Sequence, residues 1–305
     1  MGTEKNNGLI SKIVESKSKK DAVILVHNYQ RGEVQDIADF VGDSLGLSQE
    51  AARLSCRMVV FCGVKFMAES AKILSPEKTV LLPREEAGCP MANMVTVEEL
   101  RELKGKYPDA KVVCYVNTNA DVKAECDVCC TSSNAVKVVQ NIDADKIIFV
   151  PDKNLANYVA RFTHKEIIPW DGYCYVHERI KPEDIKKIKE LHPDGVIIVH
   201  PECRSEVIDL ADEVLSTGGM VKFAKKSNAR KIIIGTEEGL TYRLKKENPD
   251  KTFYTAGPAK MCRNMKITIL EDVYFALERE IYKIEIEEDI QKRAKRALDK
   301  MLDYV

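Results

Sequence analysis

Three sets of polar residues recur at identical spacing along the chain. The first set is His27, Asp39 and Ser44, and its later members stand 12 and 17 residues after the histidine. The same two intervals occur in two further sets: Tyr115, Asp127 and Ser132, and His200, Asp212 and Thr217. Imidazole and phenol groups can transfer protons, and hydroxyl groups at helix starts often accompany anion binding. The spacing indicates an internal repeat of 85 to 88 residues.

A second polar residue stands two positions after the first residue of each set. The three first residues follow the apolar runs VILV, KVVC and VIIV, which predict strands. Their paired residues are Tyr29, Asn117 and Glu202. Residues two apart on a strand share a face, and ligands of parallel sheets bind at the carboxyl ends of the strands. Glu202, the one carboxylate, is the general-base candidate, whereas His27 and His200 are either proton donors, substrate ligands or core histidines.

Three of the ten cysteines also follow the repeat. Cys89, Cys174 and Cys262 are 85 and 88 residues apart, and each falls in the predicted loop after the third strand of its repeat. Thiolates favour iron–sulfur clusters or zinc, but structural zinc sites normally have four ligands close together in sequence. Three distant cysteines fit better a cubane cluster with one open iron, which is a Lewis acid. The alternative is a buried loop position inherited three times.

The remaining cysteines align with small or apolar residues of the other repeats. The run CDVCC contains Cys126, Cys129 and Cys130, which we interpret as core residues that only mimic a CxxC motif. The same interpretation applies to Cys56, Cys62 and Cys114, while Cys203 stays unassigned.

Hydroxyl residues precede the helix that follows each set. Ser44, Ser132 and Thr217 have the position and type of ordinary helix N-caps. A ring of three helix N-termini beside the strand ends could bind phosphate or carboxylate, so an anionic substrate is expected. Lys222 is either an anion partner or a surface lysine. His177 follows Cys174 closely enough to lie beside it.

The order of elements is the same in each repeat. Short apolar strands alternate with helical segments, which predicts three three-layer αβα domains with parallel sheets. We expect them to surround a pseudo-threefold axis, with one site where the strand ends meet. The predicted domains are residues 1–108, 109–193 and 194–305, with a helical lead-in over 1–20 and a C-terminal helix over 276–305.

Composition narrows the classes of function. The chain has 305 residues, and 47 lysines and arginines nearly balance 48 aspartates and glutamates. That balance argues against nucleic acid or an acidic membrane surface as a partner and favours small molecules or proteins. No apolar run approaches the roughly 20 residues that span a bilayer, and the N-terminus has no signal-peptide pattern. We expect a cytoplasmic protein with reduced cysteines.

Several motifs together resemble the quinolinate synthase family of NAD biosynthesis. They are HNYQ (27–30), ADFVGDS (38–44), GCPMAN (88–93), YVNT (115–118), TSSNAV (131–136), HPEC (200–203) and STGGMVK (216–222). The resemblance implies three αβα domains and a [4Fe–4S] cluster on three cysteines. It also implies condensation of iminoaspartate with dihydroxyacetone phosphate to quinolinate, with loss of phosphate and two waters. An aspartate-oxidising enzyme would supply the iminoaspartate.

The resemblance carries over to individual residues. The cluster ligands would be Cys89, Cys174 and Cys262, and the open iron would activate the hydroxyl that is lost. Acid/base roles would fall to Tyr29, His200 and Glu202. Substrate contacts would come from His27, Ser44, Tyr115, Asn117, Ser132, Ser216, Thr217 and Lys222. A CxxCxxC run of some members is reduced here to Cys262 alone, which argues against disulfide control at that position.

Two other functions are compatible with three such cysteines. The radical enzymes of diphthamide synthesis take one cysteine from each of three domains, but would bind S-adenosylmethionine and a protein substrate. A non-enzymatic iron–sulfur redox sensor would need neither His200 nor Glu202.

Overall fold

Three parallel sheets form the framework of the protein. The computed structural model describes residues 2–258 and 260–304. Across these residues the strands make three four-stranded sheets, and the strands pair in parallel. In each sheet the spatial order is second, first, third and fourth strand. The expected αβα architecture with parallel sheets is confirmed, whereas the pseudo-threefold axis stays a prediction.

Each sheet takes its strands from one predicted domain. The first contains β1 (Ala22–His27), β2 (Phe40–Gly42), β3 (Met58–Cys62) and β4 (Thr79–Leu81). The second contains β5 (Lys111–Tyr115), β6 (Val128–Cys130), β7 (Lys146–Val150) and β8 (Glu166–Pro169). The third contains β9 (Val196–Val199), β10 (Glu213–Val214), β11 (Lys231–Gly235) and β12 (Thr252–Thr255). The exact domain boundaries remain a prediction.

Helices connect the strands. Before and within the first repeat they are α1 (Gly2–Lys19), α2 (Gly32–Asp36), α3 (Ser44–Arg53), α4 (Lys65–Leu74), a 3-10 turn (Met91–Met94) and α5 (Val97–Lys106). The second has α6 (Ala120–Ala124), α7 (Ala135–Asn141), α8 (Lys153–Ala160), α9 (Tyr175–Glu178) and α10 (Pro182–Leu191). The third has α11 (Ser205–Ile208), α12 (Thr217–Lys226), α13 (Leu240–Glu247) and α14 (Arg263–Lys266), followed by α15 (Leu270–Arg279) and α16 (Glu288–Leu302).

Strand β1 shows why the strands are continuously apolar. Ile24 and Val26 pack in one hydrophobic cluster with Ile13 of α1, while Leu25 packs in another with Leu47 of α3. Alternate side chains therefore enter cores on opposite faces of the sheet. Burial on both faces excludes polar residues until the strand ends at His27, and so places the first polar group at the rim of the sheet.

The repeated aspartates stabilise the sheets. Asp39, Asp127 and Asp212 each accept a hydrogen bond, through Oδ2, from a backbone N–H of the first strand of their repeat at 2.8 Å. The donors are Ile24, Val112 and Ile197. The short second strand of each sheet begins just after this aspartate. The carboxylate therefore accepts from a backbone N–H of the first strand that has no partner on the second strand.

The prediction of one C-terminal helix is wrong. The segment forms α15 and α16, and Glu280 and Tyr282 between them have left-handed φ angles of 51° and 58°. The interrupting segment pairs with the first repeat, because Leu82 N donates to Tyr282 O at 3.1 Å and Ile284 N donates to Val80 O at 2.9 Å. Helix α15 packs on α1, and α16 packs on α4 and α6, so the C-terminus covers the first two repeats.

Within the described ranges, no helix combines the length and the apolar character that a membrane span requires.

Candidate active site

The strand ends of the three sheets meet around one cavity. It encloses about 700 Å³ of space between atoms, including its open mouth. Most of the residues predicted from sequence line it: His27, Tyr29, Ser44, Cys89, Tyr115, Asn117, Ser132, Cys174, His200, Glu202, Thr217 and Cys262. Residues up to 235 positions apart in sequence therefore meet in one place, as the repeat predicted.

Ser216 and Lys222 lie in a neighbouring, outer cavity. Ser216 is the N-cap of α12, and its Oγ accepts a hydrogen bond from Gly219 N at 3.1 Å. Lys222 is exposed on the same helix. Both residues are therefore separated from the central cavity that holds the other candidates, and their contact with substrate stays a prediction.

Tyr29 and Glu202 lie in turns and Asn117 lies in a bend after β5, which corrects the expectation that the paired residues share a strand face with the first residues. Strand β1 ends at His27, and Tyr29 follows in a turn closed by a 3.0 Å hydrogen bond from Gln30 N to His27 O. Glu202 occupies the same place after His200, where Cys203 N donates to His200 O at 2.9 Å. The turns fold the paired side chains back toward the same cavity.

These turns also determine where the two histidines carry their protons. Tyr29 N donates to His27 Nδ1 at 3.2 Å, and Glu202 N donates to His200 Nδ1 at 3.3 Å. A nitrogen that accepts a hydrogen bond has no proton, so each neutral ring carries its proton on Nε2. Burial lowers the pKa of His27 to about 4 and that of His200 to about 3. Both imidazoles are therefore neutral hydrogen-bond donors at pH 7.

Glu202 is the centre of a hydrogen-bond network. Its Oε1 accepts from the Tyr115 hydroxyl, and its Oε2 lies 2.8 Å from His177 Nδ1. Burial opposes ionisation of Glu202, but the hydrogen bonds from His177 and Tyr115 stabilise the carboxylate, and the pKa of Glu202 is lowered overall. Burial, reinforced by the charge of Glu202, raises the pKa of Tyr115 and Tyr29. The result is an anionic carboxylate between protonated phenols.

His177 is the functional candidate that the repeat could not identify. It is fully buried, stacks on His200 with ring centres 4.6 Å apart, and reaches Thr236 Oγ1 from Nε2 at 2.8 Å. An ionised carboxylate only accepts, so His177 Nδ1 donates to Glu202 and Nε2 accepts from Thr236. Tyr29 Oη lies 2.5 Å from Thr236 Oγ1. The only sequence signal for His177 was its position one helical turn after Cys174.

The three repeated cysteines share one local structure. Cys174 and Cys262 are the N-cap residues of α9 and α14, and Cys89 precedes the turn Met91–Met94. Each thiol accepts a hydrogen bond from the backbone N–H three residues later, which lowers its pKa. The donors are Ala92, His177 and Met265. Burial outweighs this effect and raises the pKa of each thiol, to about 12 for Cys89.

The donor set fits an iron–sulfur cluster. All three cysteines are free thiols in the same cavity, where the charges of Cys89 and Cys262 raise the pKa of Cys174 and that of Cys262 raises the pKa of Cys89. Thiolates supported by backbone N–H groups are the usual ligands of such clusters. In contrast, Cys129 and Cys130 are fully buried on β6 and do not line the cavity, which confirms their interpretation as core residues.

The predicted N-caps are wrong by one residue or more. Asp43 caps α3 and Ser216 caps α12, so Ser44 and Thr217 are the first helical residues. In the second repeat α7 begins only at Ala135, and Ser132 lies in the preceding turn. The extended backbone of the capping residue determines this register, and sequence spacing does not report it. The displaced hydroxyls line the cavity instead.

Three polar side chains, one from each repeat, contact one another at the wall between the two cavities. Ser133 Oγ lies 2.8 Å from Ser216 Oγ, and both hydroxyls approach Asp43 Oδ2, at 3.3 and 3.4 Å. Asp43 and Ser133 line both cavities. These side chains therefore separate the central cavity from the outer one.

Asn117 presents an unpaired acceptor to the central cavity. Its Oδ1 is buried and has no hydrogen-bond partner among the residues that the structure describes. A buried amide oxygen without a partner is unfavourable, so a ligand or water donor is expected beside it.

Known proteins resemble this chain over nearly its whole length. The sequence profile described as "Quinolinate synthetase A protein" matches residues 11–303. The chain belongs to this family. It is similar to the quinolinate synthases of Geobacter sp. (57% identity over 284 residues, 93% of each chain) and Thermodesulfovibrio yellowstonii (54% over 300 residues, 98% of this chain and 99% of the relative). The quinolinate synthase of Methanosarcina barkeri is 55% identical over 294 residues, 96% of this chain and 97% of the relative.

The match confirms the resemblance that the motifs indicated and makes the chain a member of an enzyme family. It spans the three sheets together with α15 and α16, so the whole cavity lies within the matched region.

Proposed function

We propose that this chain is a quinolinate synthase, which condenses iminoaspartate with dihydroxyacetone phosphate and releases phosphate and two waters. The observation that carries the proposal is that three cysteines and the Glu202 network line one cavity. Family membership supports the same activity. Iminoaspartate is the two-electron oxidation product of the aspartate amine, so an aspartate-oxidising enzyme must supply it.

Cys89, Cys174 and Cys262 would hold a [4Fe–4S] cluster. Bound by three thiolates, the cluster would supply one open iron as a Lewis acid beside the substrate. The cysteines face the same cavity as Glu202 and His177, so this Lewis acid and the proton-transfer groups would act on one ligand.

The two neutral histidines are suited to binding substrate oxygens. His27 and His200 each direct a proton on Nε2, because their Nδ1 atoms are occupied by backbone donors. Neutral donors can stabilise a carboxylate or a carbonyl oxygen without losing their own proton. The hydroxyls of Ser44, Ser132 and Thr217 and the amide of Asn117 complete a polar lining for an anionic substrate.

Glu202 would take up protons through its neighbours. Both of its oxygens already accept hydrogen bonds, from Tyr115 and His177. A substrate proton would therefore pass to a neighbouring group that in turn gives its own proton to the carboxylate. The path Tyr29, Thr236, His177 and Glu202 connects the first repeat to the third, and Tyr115 is a second path.

Lys222 and Ser216 would act on the substrates before the chemical steps begin. They line the outer cavity, which Asp43 and Ser133 separate from the central one. A cation there would attract the anionic substrates toward the wall, and displacement of the Asp43 and Ser133 side chains would admit them.

An anaerobic assay tests the activity. The protein, loaded with iron and sulfide, is mixed with dihydroxyacetone phosphate and with iminoaspartate made in place by an aspartate-oxidising enzyme. Quinolinate and phosphate should appear in equal amounts. No quinolinate from protein that holds its full complement of iron and sulfide would overturn the proposed function.

A further inference from the structure

A buried ion pair lies behind the loop that carries Cys262. Glu237 follows β11, and its side chain is fully buried. Its Oε1 accepts from Cys262 N at 3.0 Å, and its Oε2 accepts from Gly239 N at 2.7 Å. Lys266 Nζ lies 3.0 Å from Oε1 and 3.1 Å from Oε2. The carboxylate therefore holds the backbone of Cys262, and the ammonium balances its charge.

The same ammonium reaches the first repeat. Lys266 Nζ donates to the backbone oxygen of Tyr29, and Arg31 Nε donates to Lys266 O at 2.6 Å. Lys266 belongs to α14, the short helix that Cys262 caps, and its N–H bonds to Cys262 O at 3.2 Å. One side chain thus connects the loop of Cys262 in the third repeat with the turn of Tyr29 in the first.

The backbone around this ion pair leaves no spare room. A Cβ on Gly239 would lie 2.6 Å from Tyr29 O and closer still to Lys266 Nζ. A side chain at this position would displace the ammonium or the turn. Glycine is therefore needed for the close approach of the two repeats.

We propose that Lys266 and Glu237 are positioning residues that set the place of Cys262 relative to Tyr29. The inference rests on the proposed function, because that function makes Cys262 a cluster ligand and Tyr29 an acid/base group. Glu237 also lines the central cavity, but the positioning role requires no contact of Lys266 or Glu237 with the substrate. A buried carboxylate that accepts from two backbone N–H groups, together with an ammonium shared between two repeats, restricts how far the two loops can separate.

Lys260 provides a matched control. It stands two residues before Cys262, and it pairs with Asp184 at 3.0 Å. Its side chain is 11% exposed, the same as that of Lys266. The two lysines differ in their partners, because Lys260 pairs away from Cys262 and Tyr29. A general effect of removing a lysine from this loop would thus appear in both variants.

Cluster retention is the first measurement. Lys266→Met, Lys260→Met and wild-type protein are loaded with iron and sulfide, and loss of visible absorbance to a chelator is followed. We expect Lys266→Met to lose its cluster about tenfold faster than wild type and its kcat to fall about tenfold, with KM less affected. Lys260→Met should stay within about twofold of wild type.

The second measurement tests whether Lys266 acts by balancing the charge of Glu237. Lys266→Arg should restore part of the retention, because it keeps a cation beside Glu237 although its guanidinium is larger than the ammonium it replaces. The double variant Glu237→Gln with Lys266→Met should retain its cluster better than Lys266→Met alone, since no uncompensated carboxylate is left buried. If Lys266→Met does not fold, Glu237→Gln alone should still show faster cluster loss.

The third measurement needs no cluster. In cluster-free protein, alkylation of Cys262 by iodoacetamide should be about tenfold faster in Lys266→Met than in Lys260→Met, because the released loop exposes the thiol more often, while Cys89 is unchanged in both. Equal alkylation and equal cluster retention in the two variants would overturn the positioning role. A wild type that binds no cluster or makes no quinolinate would instead overturn the proposed function, and the alkylation rates would still test the positioning role.

Discussion

The threefold repeat preserved one set of residues and diversified another. Cys89, Cys174 and Cys262 keep both their side chain and their local structure, each just ahead of a short helical turn. The first and paired residues at the strand ends instead differ in each repeat: His27 with Tyr29, Tyr115 with Asn117, and His200 with Glu202.

The difference separates two kinds of task. Ligands of one symmetric group can be alike, so three equal cysteines suit a shared cluster. Acid/base chemistry needs groups whose protonation states differ, and the strand ends supply neutral imidazoles, protonated phenols and one ionised carboxylate. The comparison predicts equal effects of mutation within the preserved set and unequal effects within the diversified one.

The largest expected effect is in the preserved set. Cys174→Ala should abolish cluster binding, and Cys89→Ala and Cys262→Ala should do the same, because each removes one of three ligands. Cys129→Ala is the control, because Cys129 is equally a free thiol but lies in the core. Iron and sulfide analysis after anaerobic loading is the measurement. A loss of cluster in Cys129→Ala equal to that in Cys174→Ala would contradict the division between the two groups of cysteines.

Glu202 should matter most in the diversified set. Glu202→Gln keeps the shape of the side chain but removes its charge, so kcat for quinolinate should fall by about 10²- to 10⁴-fold while iron content is unchanged. Glu69→Gln serves as the control, since Glu69 is a buried carboxylate that accepts from Ala120 N outside the central cavity. Similar losses in kcat for both variants would show that any buried carboxylate of this protein is equally needed.

The neutral histidines predict a dependence of stability on pH. Burial holds the pKa of His27 at about 4 and that of His200 at about 3, below the ordinary value of 6.5. Between pH 6.5 and the lowered pKa of each histidine, the unfolded chain binds more protons than the folded protein. The free energy of unfolding should therefore fall as pH drops below 6.5, by about 1.4 kcal/mol per pH unit for each histidine.

Denaturant unfolding of the cluster-free protein between pH 7.5 and 5 measures this slope. His27→Gln with His200→Gln removes both titrating groups and should flatten it. An unchanged slope in that double variant would mean that other groups control acid stability.

The smallest expected effect concerns the repeated aspartates. Asp127→Ala removes the acceptor of Val112 N and should lower the free energy of unfolding by about 1 to 2 kcal/mol. Asp39→Ala and Asp212→Ala should have similar effects, because their bonds have the same length. Thermal unfolding measures all three. A large effect on activity without loss of stability would instead assign these residues to the site.

Much of the site could be predicted because the repeat encodes it in order along the chain. The strand that precedes His27 is apolar throughout, and such a strand can only be buried on both faces, so its polar end has to lie at the rim. The same reasoning located Tyr115 and His200. Contacts between repeats could not be predicted in this way. His177 and Thr236 acquire their partners only when separate sheets pack together.

The residue at which each helix begins could not be predicted from the sequence either. The spacing suggested Ser44 and Thr217 as helix caps, but Asp43 and Ser216 have the extended backbone that a cap requires. Neighbouring hydroxyl and carboxylate residues are all good caps, so the packing of the helix decides which of them is used. The C-terminal segment is a similar case, because its break at Glu280 depends on pairing with β4.

By itself, the sequence determined the repeat, the α/β alternation and the three cysteines, because periodic burial and repeated spacing are properties of residue order. The tertiary structure decided which polar atoms meet. It set the protons of His27 and His200 on Nε2, tied Glu202 to Tyr115 and His177, and brought Lys266 to Tyr29. Hydrogen bonds require distances within about 3.5 Å, and the packing of three sheets, not spacing along the chain, determines those distances.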